Sequence, residues 1–414
     1  PNSGAVGSAV DFDPTQSPYF YDANGNIDTS KSGGYFNWIN ADGSANTMAS
    51  INPLSQLYDN YNVNDTWRSM GNVQLDYKIH GFEDLRVNLN LGYDLARTEG
   101  TKYSELGSIL SMRNGAQDYY ENYANYNANT LLEFYANYNK DFGIHHLDVM
   151  AGYSWQHNYV KNDNIQYYNN DRSNVYLDSP SDRKEYYLVS FFGRVNYTLL
   201  DRYLFTATVR QDGSSRFHKN NRWGLFPSFA LGWKLKEEAF LKDVDVLSDL
   251  KLRLGYGITG QQNINSGDYP YLAVYETNKD GAYYPILGEG TTYRPNAYNP
   301  DLKWEKTTTY NVGLDFGFLN NRINGAVDYY YRKTTDLLNS VFVSAGTNFK
   351  NKVLSNVGSL ENSGIEFSIN SKPVVTTDWT WDLGFNITYN KNEITKLTTG
   401  DSAVSYTHLT LPTT

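Results

Sequence analysis

Four tyrosines, Tyr119, Tyr120, Tyr123 and Tyr126, crowd a stretch otherwise made largely of Asn, Asp, Glu and Ala. Flat phenol rings with a hydroxyl at one end suit stacking on sugars or peptide planes, so these four are the candidate substrate-binding residues; the same rings equally suit packing within a structured loop. His145 and His146 are the only adjacent pair among six histidines, with Asp141 and Asp148 nearby. Consecutive residues of an extended chain point to opposite faces, so a solvated turn explains them better than a metal site. The run Gly255-Tyr256-Gly257-Ile258-Thr259-Gly260 lacks the Lys-Ser/Thr of a phosphate loop and closes a strand pattern rather than opening a helix, which suits a flexible rim. Asp212-Gly213-Ser214-Ser215-Arg216-Phe217 is a compact set of turn formers before a cation, the composition of a loop tip. Carboxylates are abundant, yet none forms a sequence-local acid/base pair, and no Ser or Asp clusters with His. The chain therefore reads as a non-enzyme, with no catalytic residue, cofactor or metal expected.

The elements that must position these residues are strands. In Trp379 to Asn390 one face reads Trp379, Trp381, Leu383, Phe385, Ile387, Tyr389 and the other Thr380, Asp382, Gly384, Asn386, Thr388, Asn390. The same period of two puts Tyr310, Val312, Leu314, Phe316 and Phe318 opposite Asn311, Gly313, Asp315 and Gly317, and Leu85, Val87, Leu89, Leu91 and Tyr93 opposite Arg86, Asn88, Asn90, Gly92 and Asp94. Further strands are expected near Met70 to His80, Leu131 to Lys140, His146 to Trp155, Tyr186 to Leu199, Arg202 to Gln211, Trp223 to Leu235, Leu250 to Ile258, Ile323 to Arg332 and Ser363 to Ser371. Many exceed the usual globular length and match a tilted strand that crosses a bilayer. Connections alternate short and long: Gly81 to Asp84, Asp141 to His145, Leu200 to Asp201, Leu319 to Arg322 and Lys372 to Asp378 are tight, whereas Arg97 to Thr130, Gln156 to Glu185, Thr259 to Lys303 and Thr334 to Asn362 are long. Tight turns join only antiparallel neighbours, and this asymmetry describes an all-β, antiparallel transmembrane outer-membrane β-barrel with long extracellular loops and short periplasmic turns. Aromatics at strand ends, such as Tyr329 and Tyr331 or Trp379 and Trp381, stand where interfacial girdles form.

Composition removes several classes. Lys and Arg number 35 against 45 Asp and Glu, a net charge of −10, which disfavours a nucleic-acid partner. Cysteine is absent, so disulfides, thiolate zinc sites and Cys nucleophiles are excluded. With 37 Tyr, 19 Phe and 8 Trp the chain carries too much aromatic surface for a disordered protein, while a mean hydropathy of −0.59 and the lack of any long apolar run disfavour a helical membrane protein. The start, Pro1-Asn2-Ser3-Gly4, carries no signal segment, so any targeting signal is expected outside the chain.

Specific strings then point to a family. Arg194-Val195-Asn196-Tyr197, Asp201-Arg202-Tyr203-Leu204, Arg210-Gln211-Asp212-Gly213-Ser214-Ser215-Arg216-Phe217, Asn221-Arg222-Trp223-Gly224, Phe226-Pro227-Ser228 and Gly232-Trp233 resemble the SusC/RagA-like TonB-linked outer-membrane proteins. Leu250-Lys251-Leu252-Arg253, Asn299-Pro300-Asp301-Leu302-Lys303-Trp304-Glu305, Gly313-Leu314-Asp315, Asp328-Tyr329-Tyr330 and Asn356-Val357-Gly358-Ser359-Leu360-Glu361-Asn362 resemble the same family in the same order. The resemblance covers about Tyr186 to Leu397 and extends by position over Pro1 to Glu185. It implies TonB-dependent import of oligosaccharides or peptides across the outer membrane of a Gram-negative bacterium, with a SusD-like surface lipoprotein, TonB and outer-membrane lipid as partners. It also implies a barrel of 22 strands plugged by an N-terminal domain, of which about 12 strands are legible here.

Residues 1–66 are expected to form an extracellular loop region and residues 67–402 a partial barrel. The tail from Ala403 to Thr414 breaks the pattern and resembles the translation of a sequencing adaptor. Other readings of the alternation are a passive porin, a secreted β-rich adhesin and, less well supported, a barrel hydrolase.

Overall fold

The computed structural model describes residues 3–105, 107–113, 119–163, 165–168, 175–179, 181–263, 268–277, 293–343 and 352–396. The tail 403–414 lies outside them. In chain order the elements are α1 Ser3–Asp11, α2 Pro53–Tyr58, β1 Asn60–Lys78, β2 Leu85–Ser104, α3 Ile109–Arg113, β3 Tyr119–Phe142, β4 His145–Asn162, β5 Ile165–Tyr168, β6 Val175–Ser179, β7 Asp182–Leu199, β8 Tyr203–Ser214, β9 Trp223–Lys234 and β10 Leu247–Gln261. They continue as β11 Tyr275–Thr277, β12 Tyr293–Pro295, β13 Glu305–Phe318, β14 Ile323–Thr335, β15 Leu338–Phe342, β16 Lys352–Asn356, β17 Ser359–Val375 and β18 Thr380–Lys396.

The main sheet runs β1-β2-β3-β4-β7-β8-β9-β10-β13-β14-β17-β18, while β5 pairs with β3 and β6 pairs with β5. Every strand expected from alternation is present. Those on the long-connection side run further than expected: β2 continues to Ser104, β3 starts at Tyr119 and β4 reaches Asn162. Alternation weakens there because both faces carry Tyr, Asn and charged residues, so periodicity cannot report the strand end.

Tight turns are built from backbone conformations that L side chains seldom adopt. Leu200 and Asp201 both take positive φ between β7 and β8, as do Leu319, Asn320 and Asn321 between β13 and β14, the mirror-image geometry that matches the twist of a hairpin.

The residues cluster in two compact units. The first comprises 1–71, 92–130 and 158–185. Its segment before β1, expected to be loop, holds α1, α2 and an aromatic cluster in which the Phe12, Phe20 and Trp38 rings lie 6.4, 5.1 and 5.2 Å from Phe36. Fully buried Asn52 knits this segment together. Its carboxamide donates to the Pro18 and Phe36 carbonyls at 2.8 and 2.9 Å and accepts from the Leu54 N–H at 2.9 Å as the N-cap of α2.

The second unit comprises 72–91, 131–157 and 186–414. Its buried core is Phe217, Phe226, Leu302 and Trp304, with Leu188, Ile258, Leu338 and Leu354 packed against it. Three of the family-like strings meet here. Phe217 is wholly buried and β8 runs through Ser214, so the Asp212 to Phe217 run is an anchor and not an exposed tip. Gly260 likewise is no flexible rim: it lies within β10, and a Cβ there would come within 3.0 Å of Phe226 Cε2, so its absence makes room for that ring.

Candidate functional site

Ladder register decides which residues share a face. Leu231, Leu254, Val312, Tyr329, Ile365 and Tyr389 form one row across β9, β10, β13, β14, β17 and β18. All six side chains are large, apolar or aromatic, and exposed, at 42 to 71%. The adjacent row, Gly232, Arg253, Gly313, Asp328, Glu366 and Thr388, points the other way and is polar or small throughout. A further outward row, Phe229, Tyr256, Tyr310 and Tyr331, is aromatic across four strands, with neighbouring ring centroids 6.3, 5.2 and 6.4 Å apart. The sheet is therefore inside out by the standard of a soluble protein. Its apolar face is bare and its polar face is hydrogen-bonded.

Two networks organise that polar face. Arg253 on β10 donates from Nε and Nη2 to the two oxygens of Asp315 on β13, at 2.9 and 2.8 Å, and from Nη2 to Asp328 Oδ2 on β14 at 3.0 Å. The guanidinium must cross over Gly313 to do so: a Cβ at 313 would lie 2.7 Å from Arg253 Cζ. Further along, Asp148 on β4 accepts from Asn137 at 3.1 Å and Asn139 at 3.4 Å, both on β3, and from Asn196 on β7 at 3.2 Å; Asn196 in turn accepts from Thr206 on β8 at 2.9 Å. Sequence reasoning placed Asp315 on a polar face, assigned no face to Arg253 or Asp328, and did not pick these residues as a group. Register across strands distant in sequence, which brings Arg253, Asp315 and Asp328 together, leaves no local signal.

The four candidate tyrosines lie on β3, which begins at Tyr119, and not in a loop. The side chains of Tyr119 and Tyr120 are outside the described residues. Tyr123 donates from its hydroxyl to Asn62 Oδ1 at 2.8 Å, and its ring lies against Gly100, where a Cβ would come 2.8 Å from Cε1. It lines a cavity of about 480 Å³ together with Asn64, Asp65, Glu99, Thr101 and Asn122. Tyr126 is not in that lining; its ring packs edge-on against Tyr159 at 6.1 Å. A second cavity of about 390 Å³ is lined by Tyr269, Tyr298, Asn296, Asn299 and Lys352, among others. Amides, carboxylates and phenol faces in open clefts suit hydroxyl-rich or peptide ligands.

The histidine pair diverges: His145 Nδ1 is 2.6 Å from the Tyr197 hydroxyl and His146 Nδ1 is 2.5 Å from Asp141 Oδ1. Among the described residues no three His, Asp or Glu side chains converge as metal ligands. In the turn after β9, Glu238 accepts from the Tyr203 hydroxyl at 2.6 Å, the Trp233 indole at 3.0 Å and Arg202 at 3.0 Å. These bonds, led by Tyr203, hold its carboxyl below the usual glutamate range. Just before β1, Asp59 is buried, and its carboxylate accepts one hydrogen bond, from the Ser55 hydroxyl at 2.6 Å. Burial pushes its pKa up to about 6.

This combination, an antiparallel sheet with a bare apolar face, a polar face tied by ion pairs, aromatic rows and one-sided tight turns, defines a membrane β-barrel wall. Comparison with known proteins gives the family. The model of the TonB dependent receptor-like β-barrel matches residues 5–414, and the chain belongs to that family, which is one of receptors and not of enzymes. It is 48% identical to the TonB-dependent receptor SusC of Bacteroides thetaiotaomicron, over 97% of this chain and 41% of the relative. To TonB-dependent receptor P3 of Formosa agariphila it is 35% identical, over 81% of this chain and 34% of that one. The RagAB peptide transporter structure superposes with a TM-score of 0.74 at 24% identity, covering 88% of this chain and 41% of that one. The chain thus spans less than half the length of these relatives.

Proposed function

We propose that this chain is barrel wall and outer loops of a TonB-dependent importer in the outer membrane of a Gram-negative bacterium. The carrying observation is the inside-out sheet: six exposed apolar residues in one row beside a polar, ion-paired row. Lipid takes the first face and a hydrated lumen the second. Residues 1–66 and the long connections are the extracellular surface, where a SusD-like lipoprotein docks, and residues 67–402 are the wall. TonB acts through a region beyond this chain. The cargo is an oligosaccharide or a peptide; the fold likeness to a peptide transporter and the open clefts lined by Tyr123 and by Tyr298 with Lys352 support a polar, extended solute. Tyr119, Tyr120, Tyr123 and Tyr126 are the proposed substrate contacts.

Uptake of labelled oligosaccharides and peptides by cells expressing the complete polypeptide tests the reading. Import that stops when the proton gradient is collapsed supports it. Import that continues unchanged points to a passive porin instead, and a product found soluble without detergent to a secreted adhesin.

A further inference from the structure

The chain carries a net charge of −10, yet one end of its polar face is cationic. Lys234 on β9 and Lys251 on β10 are register partners, so their side chains leave the same face side by side. Both stand two residues along from the Gly232–Arg253 pair on that face, and a Cβ at 232 would lie 3.3 Å from Lys251 Cε and 3.1 Å from Leu204 Cδ1, so the lysine leans over Gly232 beside the Leu204 side chain. Neither ammonium has an ion pair or a hydrogen bond among the described residues. Lys236, in the turn just beyond β9, adds a third positive charge, held among the described residues by the Leu241, Lys242 and Val244 carbonyls at 3.1, 2.9 and 2.8 Å.

The carboxylates that share this face in register do not answer this charge. Asp315 is the register partner of Lys251, but both its oxygens are taken by Arg253. Asp249 shares the face two residues along the same strand and has no ion pair with either lysine. Beside Lys251 lies a cavity of about 310 Å³, lined by Lys251, Arg253, Asn311, Thr206 and Leu204 over Gly232 and Gly255; Lys234 stands next to it and not in its lining. The Asn311 carboxamide has no hydrogen-bond partner among the described residues. Like charges directly opposite one another in a sheet oppose pairing, and a carboxylate between two ammonium groups turns that repulsion into two charge-assisted hydrogen bonds.

We infer that Lys234 and Lys251 form a carboxylate-binding seat on the polar face at the tight-turn end of the wall. The seat rests on that face lining the lumen. Its carboxylate comes either from a protein segment lodged against the wall or from an acidic solute in transit.

Carbodiimide coupling distinguishes these sources, because it joins an amine to a carboxylate already in contact. Outer membranes carrying the complete polypeptide are treated alone or with a tri-aspartate peptide, digested and mapped by mass spectrometry. An isopeptide from Lys234 or Lys251 to an Asp or Glu outside residues 60–396 supports the seat and identifies a protein source. Capture of the peptide about tenfold above exposed Lys219 supports it with a solute source. The Lys234→Gln/Lys251→Gln double variant should lose either product while keeping the heat-modifiable mobility of a folded barrel. Coupling confined to Asp249 or Asp315, or none above the Lys219 level in both arms, overturns the seat. Gradient-dependent uptake is scored separately, so failure here leaves the import reading standing.

Discussion

Replacing Arg253 by Met removes the one cation of a three-strand network and leaves two carboxylates flanking Gly313 on the same face. The Arg253, Asp315 and Asp328 side chains are 32, 29 and 21% exposed, so the site is screened by water only in part. Three charge-assisted bonds at 2.8 to 3.0 Å are lost. Allowing about 1 kcal/mol for each after screening, and some further cost for the stranded charges, the expected destabilisation is about 2–4 kcal/mol. At about 1.4 kcal/mol per factor of ten, the folded-to-unfolded ratio falls roughly 30- to 1000-fold. Urea unfolding of the barrel in vesicles, followed by tryptophan fluorescence, measures it. The decisive control is Arg253→Met with Asp315→Asn and Asp328→Asn, which removes the stranded charges and should recover most of the loss. A triple variant as unstable as the single one, or a single variant equal to the parent, would refute the assignment of stability to this network.

Leu314→Arg, on the outward face, should cost about 2–4 kcal/mol of membrane stability near mid-bilayer, whereas Asn311→Arg, three residues away on the inward face, should cost far less; equal damage in the same unfolding assay contradicts the face assignment. Trp304→Ala empties the centre of the Phe217, Phe226 and Leu302 cluster and removes its 2.9 Å bond to the Arg222 carbonyl, so a loss of about 3–5 kcal/mol is expected. Asp59 is raised to about 6 when folded from an ordinary value of 3.8, so the folded segment holds a proton that the unfolded one releases between those values. Stability is therefore highest below about pH 4, falls as pH rises to 6 and stays lower above it, by about 1–3 kcal/mol after allowing for residual solvation. Amide protection factors over residues 33–59, corrected for the pH dependence of intrinsic exchange, should be larger at pH 5 than at pH 7.5, and Asp59→Asn should remove the difference. Tyr123→Ala should weaken binding of the transported solute without lowering barrel stability by more than about 1 kcal/mol, as read by titration and unfolding side by side.

Period-two alternation was enough to find the main strands because one face of each meets a uniform apolar medium for its full crossing. Trp379 to Asn390 shows it best: twelve residues alternate without a break, and β18 covers eleven of them. The signal fades where lipid stops, which is why β2, β3 and β4 outran expectation and why Tyr119, Tyr120, Tyr123 and Tyr126 read as loop residues when they belong to a strand. It fades again before β1, where Phe12, Phe20, Phe36 and Trp38 are spaced by no period and gather only through turns tied by Asn52. Of the Arg253 network, Asp315 and Gly313 were legible as polar-face members, while Arg253, Asp328 and the unit they form were not.

In a soluble protein, apolar burial both stabilises the fold and selects it. Here the apolar face gives little selection between one strand register and another that keeps the same parity, since lipid accepts Leu314 against Leu252 as readily as against Leu254. Selection falls to groups that fit in one register only. Arg253 reaches both Asp315 and Asp328 only if Gly313 lies between them, and a slip of two residues would put Asp315 or Asn311 in that place. The Phe217, Phe226, Leu302 and Trp304 cluster does the same on the long-connection side, where Trp304 bonds to the Arg222 carbonyl and Asn356 donates to the Lys303 and Asp336 carbonyls. The strings most diagnostic of the family, Asp212 to Phe217, Phe226 to Ser228, Asn299 to Glu305 and Asn356 to Asn362, fall at these register-specifying contacts. They identify the wall and say little of what passes through it, because the clefts beside Tyr123 and Tyr298 are built, Asn299 apart, from residues outside them.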